Sequence, residues 1–283
     1  MRYGMNMYLW TTRPGPEHRP ILAALAEMGY DLVELPVLDF EEIGYYERLG
    51  REVRAVGLEP LAVNALNAEQ NIAAADAETR ARGVAALERM IDCAAAMGAP
   101  ILSGPMHSAI GVFTGQGPQP DELARSAEIM ARIAERGRQK GVCLAIEPLN
   151  RFECYLLNDT AAAADFAARV GSGAGILYDT FHAHIEEKDP AAIIRAHIDA
   201  IAHVHVSEND RSTPGRGQVR WDDTFAALKG AGYKGPLVVE AFGLALPELS
   251  AATRIWRRMF DDELTLARDA LAFMRASWER AAP

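Results

Sequence analysis

The sequence predicts an α/β fold of the (β/α)8 barrel type, and three observations carry that prediction. Short strand-like runs alternate with longer helical patterns to the C-terminus, the runs number eight, and nothing between them reads as a linker. At 283 residues the chain also falls in the range of one such barrel, which typically needs about 250. Residues 1–283 are therefore expected to form a single domain. An open, doubly wound sheet shares the rhythm, but no glycine-rich dinucleotide fingerprint follows the first run.

The first three runs, 3-YGMNMY-8, 31-DLVEL-35 and 58-LEPLAV-63, are short and largely apolar, as strands covered on both faces are. The stretch 79-TRARGVAALERMIDCAAAMG-98 is alanine-rich and amphipathic, and Gly98 suits a helix C-cap. The fourth run, 100-PILSG-104, opens into 104-GPMHSAIGVFTGQGPQP-120, which is too long for a tight connection. A second helical pattern, 121-DELARSAEIMARIAERGRQKG-141, ends on Gly141. The fifth run, 142-VCLAIE-147, is apolar for five residues before Glu147, and Pro148 helps to stop it. The sixth and seventh are 174-AGILYD-179 and 201-IAHVHV-206, the latter leading into another long connection, 207-SENDRSTPGRGQVRW-221. The eighth is 237-LVVE-240, and the amphipathic segment beyond it either covers its own barrel or packs on a second subunit. In a barrel the loops after the strands form the face where active sites sit, so the two long connections are candidate lids or substrate walls.

Hydrophobic residues make up 49% of the chain and charged residues 24%, and no apolar run approaches the ~18 residues that span a bilayer. No membrane partner is expected. The opening MRYGMNMYLW lacks a charged segment, a long apolar core and a small-residue cleavage site, so it does not read as a signal peptide and a cytoplasmic location is expected. Cys93, Cys143 and Cys154 are odd in number and show no CxxC spacing, against both a disulfide framework and a cysteine zinc site. A formal charge of −10 disfavours nucleic acid, whose binding depends on clustered Lys and Arg. Small molecules are the expected partners.

Four consecutive runs carry, at or one residue before their ends, residues able to hold a metal: Glu147, Asp179, His205 and Glu240, each about one βα unit from the next. A carboxylate at the end of a buried strand costs on the order of several kcal/mol unless a cation or hydrogen-bond donors compensate it. One polar residue at a strand end is usually a hydrogen-bonded cap. Four in consecutive units point to convergence on one centre. Three carboxylates with one imidazole form a hard, oxygen-rich set that favours Mn²⁺, Mg²⁺ or Co²⁺ over a thiolate-rich zinc site, without choosing among them.

The segments IEPLNRFE, LYDTFHAHIEE, HVHVSENDR and VVEAF, in this order and spacing, resemble the strand-end motifs of the xylose isomerase-like sugar isomerase/epimerase superfamily. Within it they resemble the ketose 3-epimerases that act on D-tagatose, D-allulose (D-psicose) or L-ribulose. The likeness runs from NIAAADAETRARG to EAFG, most of the chain. It implies a xylose isomerase-like TIM barrel and one divalent ion, most often manganese, held by Glu147, Asp179, His205 and Glu240. It further implies that Glu147 and Glu240 are the acid/base pair on opposite faces of a bound ketose. Glu153, His182 and Arg211 would hold substrate oxygens, and Phe242 would wall the substrate in. The expected activity is epimerisation of a free ketose at C3 through a cis-enediolate, by a homodimer or homotetramer. The chain departs from well-known members around the first strand and the strand-four loop. Asn6, Trp10 and His107 stand there, in regions that often carry pocket aromatics, with loop packing as the alternative for Trp10 and His107.

His203 lies two residues before His205 on the same side of its strand, and is expected one layer deeper as a hydrogen-bonded core histidine. His184 and Glu186 are expected on the surface of a short helix. Two other activities compete. An aldose–ketose or hydroxypyruvate-type isomerase would use the same barrel and enediol chemistry, and a non-catalytic sugar-binding module would need no base on each face.

Overall fold

The computed structural model of the chain describes residues 1–38, 40 and 42–282. Eight parallel strands follow one another round a closed barrel: β1 (Tyr3–Asn6), β2 (Leu32–Pro36), β3 (Glu59–Val63), β4 (Ile101–Gly104), β5 (Cys143–Ile146), β6 (Ala174–Asp179), β7 (Ile201–Val206) and β8 (Leu237–Val239). Closure rests on β8 pairing with β1, Val239 opposite Met5, which excludes the open sheet. The helices are α1 (Arg19–Met28), α2 (Ile43–Ala55), α3 (Ala77–Met97), α4 (Pro120–Gln139), α5 (Thr160–Val170), α6 (Thr180–Glu186), α7 (Pro190–His197), α8 (Trp221–Gly230), α9 (Pro247–Ala252) and α10 (Glu263–Arg280).

Local chemistry sets the ends of these elements. Asp76, Asp159 and Asp262 start α3, α5 and α10 by accepting the N–H of Thr79, Ala162 and Thr265 at 2.7, 2.8 and 2.8 Å. Gly98 closes α3 with φ 76°, and Gly141, also at 76°, follows the last turn of α4. β1 stops at Asn6, two residues before the expected end, because the Asn6 side chain accepts the Tyr8 N–H at 2.8 Å and turns Met7–Leu9 into a 3-10 turn. β5 and β8 stop at Ile146 and Val239, so Glu147 and Glu240 stand one residue past the ladder. Asp179 and His205 remain inside it, side by side across β6 and β7.

The alternation of packed strands and covering helices leaves little slack. A side chain on Gly50 of α2 would run into the Met97 carbonyl at the end of α3, so only glycine lets those helices meet there. The segment after β8 covers its own barrel: Leu266, Ala270, Leu271 and Met274 of α10 are buried against α1, α8, β1 and β8. Tyr30 donates its hydroxyl to the Ala267 carbonyl at 2.7 Å across the same seam.

The connection from β7 to α8 is organised by one acid. Glu208 is fully buried, and its Oε1 accepts the N–H groups of Asn209, Gln218 and Val219 at 3.0, 3.1 and 3.1 Å. Its Oε2 accepts Gly215 N–H at 2.8 Å and Trp221 Nε1–H at 2.9 Å. With five donors on one carboxylate, this connection is a fixed wall rather than a loose lid. The β4–α4 connection is tied to the β5–α5 connection, Gly111 donating its N–H to the Glu153 carbonyl at 2.8 Å.

Candidate metal centre and active-site cleft

At the C-terminal end of the barrel one atom each from Glu147, Asp179, His205 and Glu240 lies within 4.8 Å of the others. All four residues are at least nine-tenths buried. Asp179 is fixed by its own helix: Oδ1 accepts the Phe181 N–H at 2.6 Å as the N-cap of α6, while Oδ2 takes the Ser207 hydroxyl at 3.1 Å. His205 presents Nδ1 to the cluster, 3.6 Å from Asp179 Oδ2 and 3.5 Å from Glu240 Oε1, and that nitrogen has no hydrogen-bond partner.

The electrostatics of the cluster are those of a site short of positive charge. Burial, reinforced by Glu240, pushes the Glu147 carboxyl well above the usual carboxylate range. Burial likewise raises Glu240, to about 7, against the opposing pull of His205 and Arg211. Burial would also raise Asp179, but His205, His182 and Arg211 outweigh it and hold that carboxyl low. As ligands the three carboxylates would be ionised and His205 neutral, and against the Arg211 guanidinium they would leave two negative charges, which one divalent ion neutralises. The separations of 3.5 Å from His205 Nδ1 to Glu240 and 3.6 Å to Asp179 bring the ligand atoms close enough to share one ion. The orphaned Nδ1 of His205 and the hard donor set therefore fit a single divalent cation.

Above the cluster opens a cleft of about 160 Å³, lined by Glu147, Glu153, His182, Arg211, Glu240 and Phe242. Tyr8, Ile110, Leu149 and Leu249 are among the apolar residues of the wall, and Asn64 adds a polar edge. Arg211 sits at φ 63°, a conformation that costs a non-glycine residue about 1 kcal/mol or more. Its N–H is held by the Glu208 carbonyl and its carbonyl by the Phe242 N–H, both at 2.9 Å. The guanidinium lies 3.7 Å from the Phe181 ring centre and donates through Nη1 to Glu240 Oε2 at 2.7 Å. Nη2 lies 3.7 Å from Glu153 Oε1.

His182 is held in one tautomer. The backbone and side-chain N–H groups of Asn150 both point at Nδ1 from 2.9 Å, so that nitrogen carries a lone pair and the ring proton sits on Nε2. Burial, with Arg211 beside it, pushes the His182 pKa down to about 4 and keeps the ring neutral. Nε2 lies 3.5 Å from Glu147 Oε1 and 3.2 Å from Arg211 Nη2. Two donors thus face one region, where an oxygen acceptor would satisfy both. Asn150 also donates to Glu153 Oε1 at 2.9 Å, coupling the two polar walls.

All the residues singled out in the sequence as ligands or substrate contacts therefore meet in one place. Trp10 and His107 do not line the cleft: Trp10 packs against the core, and His107 is buried edge-on to Phe166, 6.4 Å between ring centres. Glu186 ends the short helix α6 as expected, but its side chain is covered and not on the open surface: it accepts the Arg151 N–H at 2.8 Å and pairs with its guanidinium. His203 is buried beneath His205 as expected, but its Nε2 meets Glu34 Oε1 at 2.9 Å outside good hydrogen-bond geometry and its Nδ1 has no partner. Sequence reasoning missed Tyr8, Asn150 as a clamp, and Glu34. An acid in the middle of the apolar run 31-DLVEL-35 was the signal available for the last.

The chain matches the profile of the xylose isomerase-like TIM barrel family over residues 22–277. L-ribulose 3-epimerase of Mesorhizobium japonicum is 32% identical, covering 99% of this chain and 95% of its own. D-psicose 3-epimerase of Enterocloster bolteae is 28% identical over 95% of this chain and 92% of its own. Among solved structures, D-allulose 3-epimerase from Methylomonas sp. in complex with D-allulose superposes with a TM-score of 0.91 at 28% identity, covering 98% of this chain and 97% of that one.

Proposed function

Because the chain belongs to the xylose isomerase-like TIM barrel family, and within it to the ketose 3-epimerases, we propose that it epimerises a free ketose at C3 through a cis-enediolate, with Glu147 and Glu240 as the acid/base pair. One observation carries the reading: two buried carboxyls, Glu147 and Glu240, border one cleft and belong to the same candidate cation site. Glu147, Asp179, His205 and Glu240 would hold the divalent ion, Mn²⁺ by the family resemblance. When bound, the ion would withdraw electron density from the ketone and stabilise the oxygen on which charge develops.

The protein's own groups do the rest. A proton on the carbon next to a ketone is weakly acidic, so its removal needs a base positioned on one face and stabilisation of the oxygen on which charge develops. One glutamate removes the C3 proton, and the other returns a proton to the opposite face of the planar enediolate, inverting C3. His182 Nε2–H and Arg211 donate to a substrate oxygen in the region they share, and neutral His182 can do so without surrendering its proton. Glu153, held by Asn150, accepts from a hydroxyl further along the sugar. Phe242, stacked 6.3 Å from Tyr8, closes the side of the cleft against water. The reading carries with it a cytoplasmic homodimer or homotetramer of single-domain subunits, which size-exclusion chromatography with light scattering checks.

The test is exchange in D₂O. With Mn²⁺ and a panel of fructose, tagatose, allulose and ribulose, deuterium is expected at C3 of both epimers. Glu147→Gln and Glu240→Gln each lower the rate by about 10²–10⁴-fold, the usual worth of a positioned acid or base. Deuterium confined to C1 and C2 would point to an aldose–ketose isomerase instead, and full activity in both variants would remove the two-base assignment.

A further inference from the structure

Beneath the candidate metal centre lies a carboxylate that neither the family's motifs nor the mechanism above uses. Glu34 projects from β2 into the barrel interior and is fully buried. Its Oε2 accepts Asn6 Nδ2–H at 2.7 Å and lies 2.7 Å from His205 Nε2. Its Oε1 accepts the Ser103 hydroxyl at 2.7 Å, with His203 Nε2 at 2.9 Å. Strands β1, β2, β4 and β7 therefore converge on one acid at the level just below the cluster.

We propose that Glu34 is the positioning residue of the metal centre, holding the His205 ring with its proton on Nε2 so that the Nδ1 lone pair faces Glu147, Asp179 and Glu240. The proposal rests on reading those four residues as a metal site. An ionised carboxylate only accepts hydrogen bonds, so the 2.7 Å contact requires hydrogen on Nε2. A neutral imidazole has one such hydrogen, which leaves Nδ1 bare. That bare nitrogen is the one without a partner, 3.5 Å from Glu240 and 3.6 Å from Asp179. A lone pair aimed at carboxylate oxygens is repulsive by itself and becomes favourable only with a cation between them, a proton in the metal-free protein or a metal ion once one is bound. A carboxylate on the far nitrogen of a metal-bound histidine fixes the ring and raises its basicity.

The alternative use of this cluster, a second metal held by Glu34, His203 and His205, is disfavoured by the same contacts. Asn6, Ser103 and His205 already direct donors at both Glu34 oxygens, and a cation would have to displace them. It would also need Nε2 of His205 stripped of its proton, giving an imidazolate bridge between two ions.

Two measurements test the proposal separately from the activity. In the metal-free protein, at a pH high enough to make the ring neutral, ¹⁵N ring shifts assign the His205 tautomer: Nε2–H is expected in the wild type, and Nδ1–H would overturn the proposal. Manganese chloride titrated into metal-free wild type and Glu34→Gln is expected to show affinity falling about 10–100-fold in the variant, with Ser103→Ala, which spares the Glu34–His205 contact, close to wild type. Equal affinity in wild type and a folded Glu34→Gln overturns the proposal. Failure of the wild type itself to bind any divalent ion overturns the metal reading instead, and the tautomer measurement still decides the role of Glu34.

Discussion

His107, beside the barrel mouth, was a candidate pocket residue, and its surroundings give it another consequence. Its ring is fully buried, with Nδ1 3.1 Å from Ser108 Oγ, and burial pushes its pKa down to about 4. Between pH 6.5 and 4 the unfolded chain binds a proton on this residue that the folded chain refuses, so stability falls as pH drops through that window and levels off below it. The contribution approaches about 3 kcal/mol at the acid end. Urea midpoints at pH 7 and pH 5 should therefore drop less for His107→Gln than for wild type, by about 2 kcal/mol in the pH-dependent part. A polar residue near the mouth was legible from the sequence; its direction was not, because that depends on how the β4–α4 connection folds back on α5. Glu147, Asp179, His205 and Glu240 were legible because position at a strand end can be counted along the chain. Glu34 was not, since an acid in mid-strand acquires meaning only when the barrel closes and brings Asn6, Ser103 and His205 around it.

At the scale of elements, alternating apolar runs located every strand, while their ends shifted by a residue or two where a side chain intervened, as at Asn6. The helical patterns were similarly readable at α3 and α4, but α9, whose Leu249 and Ala252 line the cleft, carries too few residues to announce itself. The close meeting of α2 and α3 gives a sharp comparison within one helix. Gly50→Ala forces a methyl group into the Met97 carbonyl and should cost about 1–3 kcal/mol as an overpacked contact. Gly44→Ala, in the same helix, meets only the flexible Arg48 guanidinium at 3.6 Å and should leave stability unchanged or slightly higher. Thermal midpoints of the two variants read the difference. Equal midpoints would mean that the helices slide apart at little cost.

Across the whole molecule, the seam between β8 and β1 joins the two ends of the chain, and α10 lies over it. Tyr30, Leu266, Leu271 and Met274 bury one another's surroundings there, so the last helix completes the core that the first strand begins. Ending the chain at Asp262 should leave a protein that binds hydrophobic dyes and has lost its sharp melting transition, read by near-ultraviolet circular dichroism against temperature. A shortened chain that still melts sharply would mean that the strand pairing of Met5 with Val239 closes the barrel unaided. The fold class was legible from the eightfold rhythm, but which surface the last helix covers was not, since an amphipathic pattern shows an apolar face without naming its partner.

The five donors gathered on Glu208 place the ordering of one wall of the cleft in the folding reaction, ahead of any encounter with a sugar. On that side capture is then a matter of diffusion and of shedding water, with no waiting for a segment to close. Losing that single carboxylate would leave the wall sampling many shapes, and the sugar would bind only the fraction of molecules that held the right one, slower to load and weaker in apparent affinity with no contact to the sugar removed.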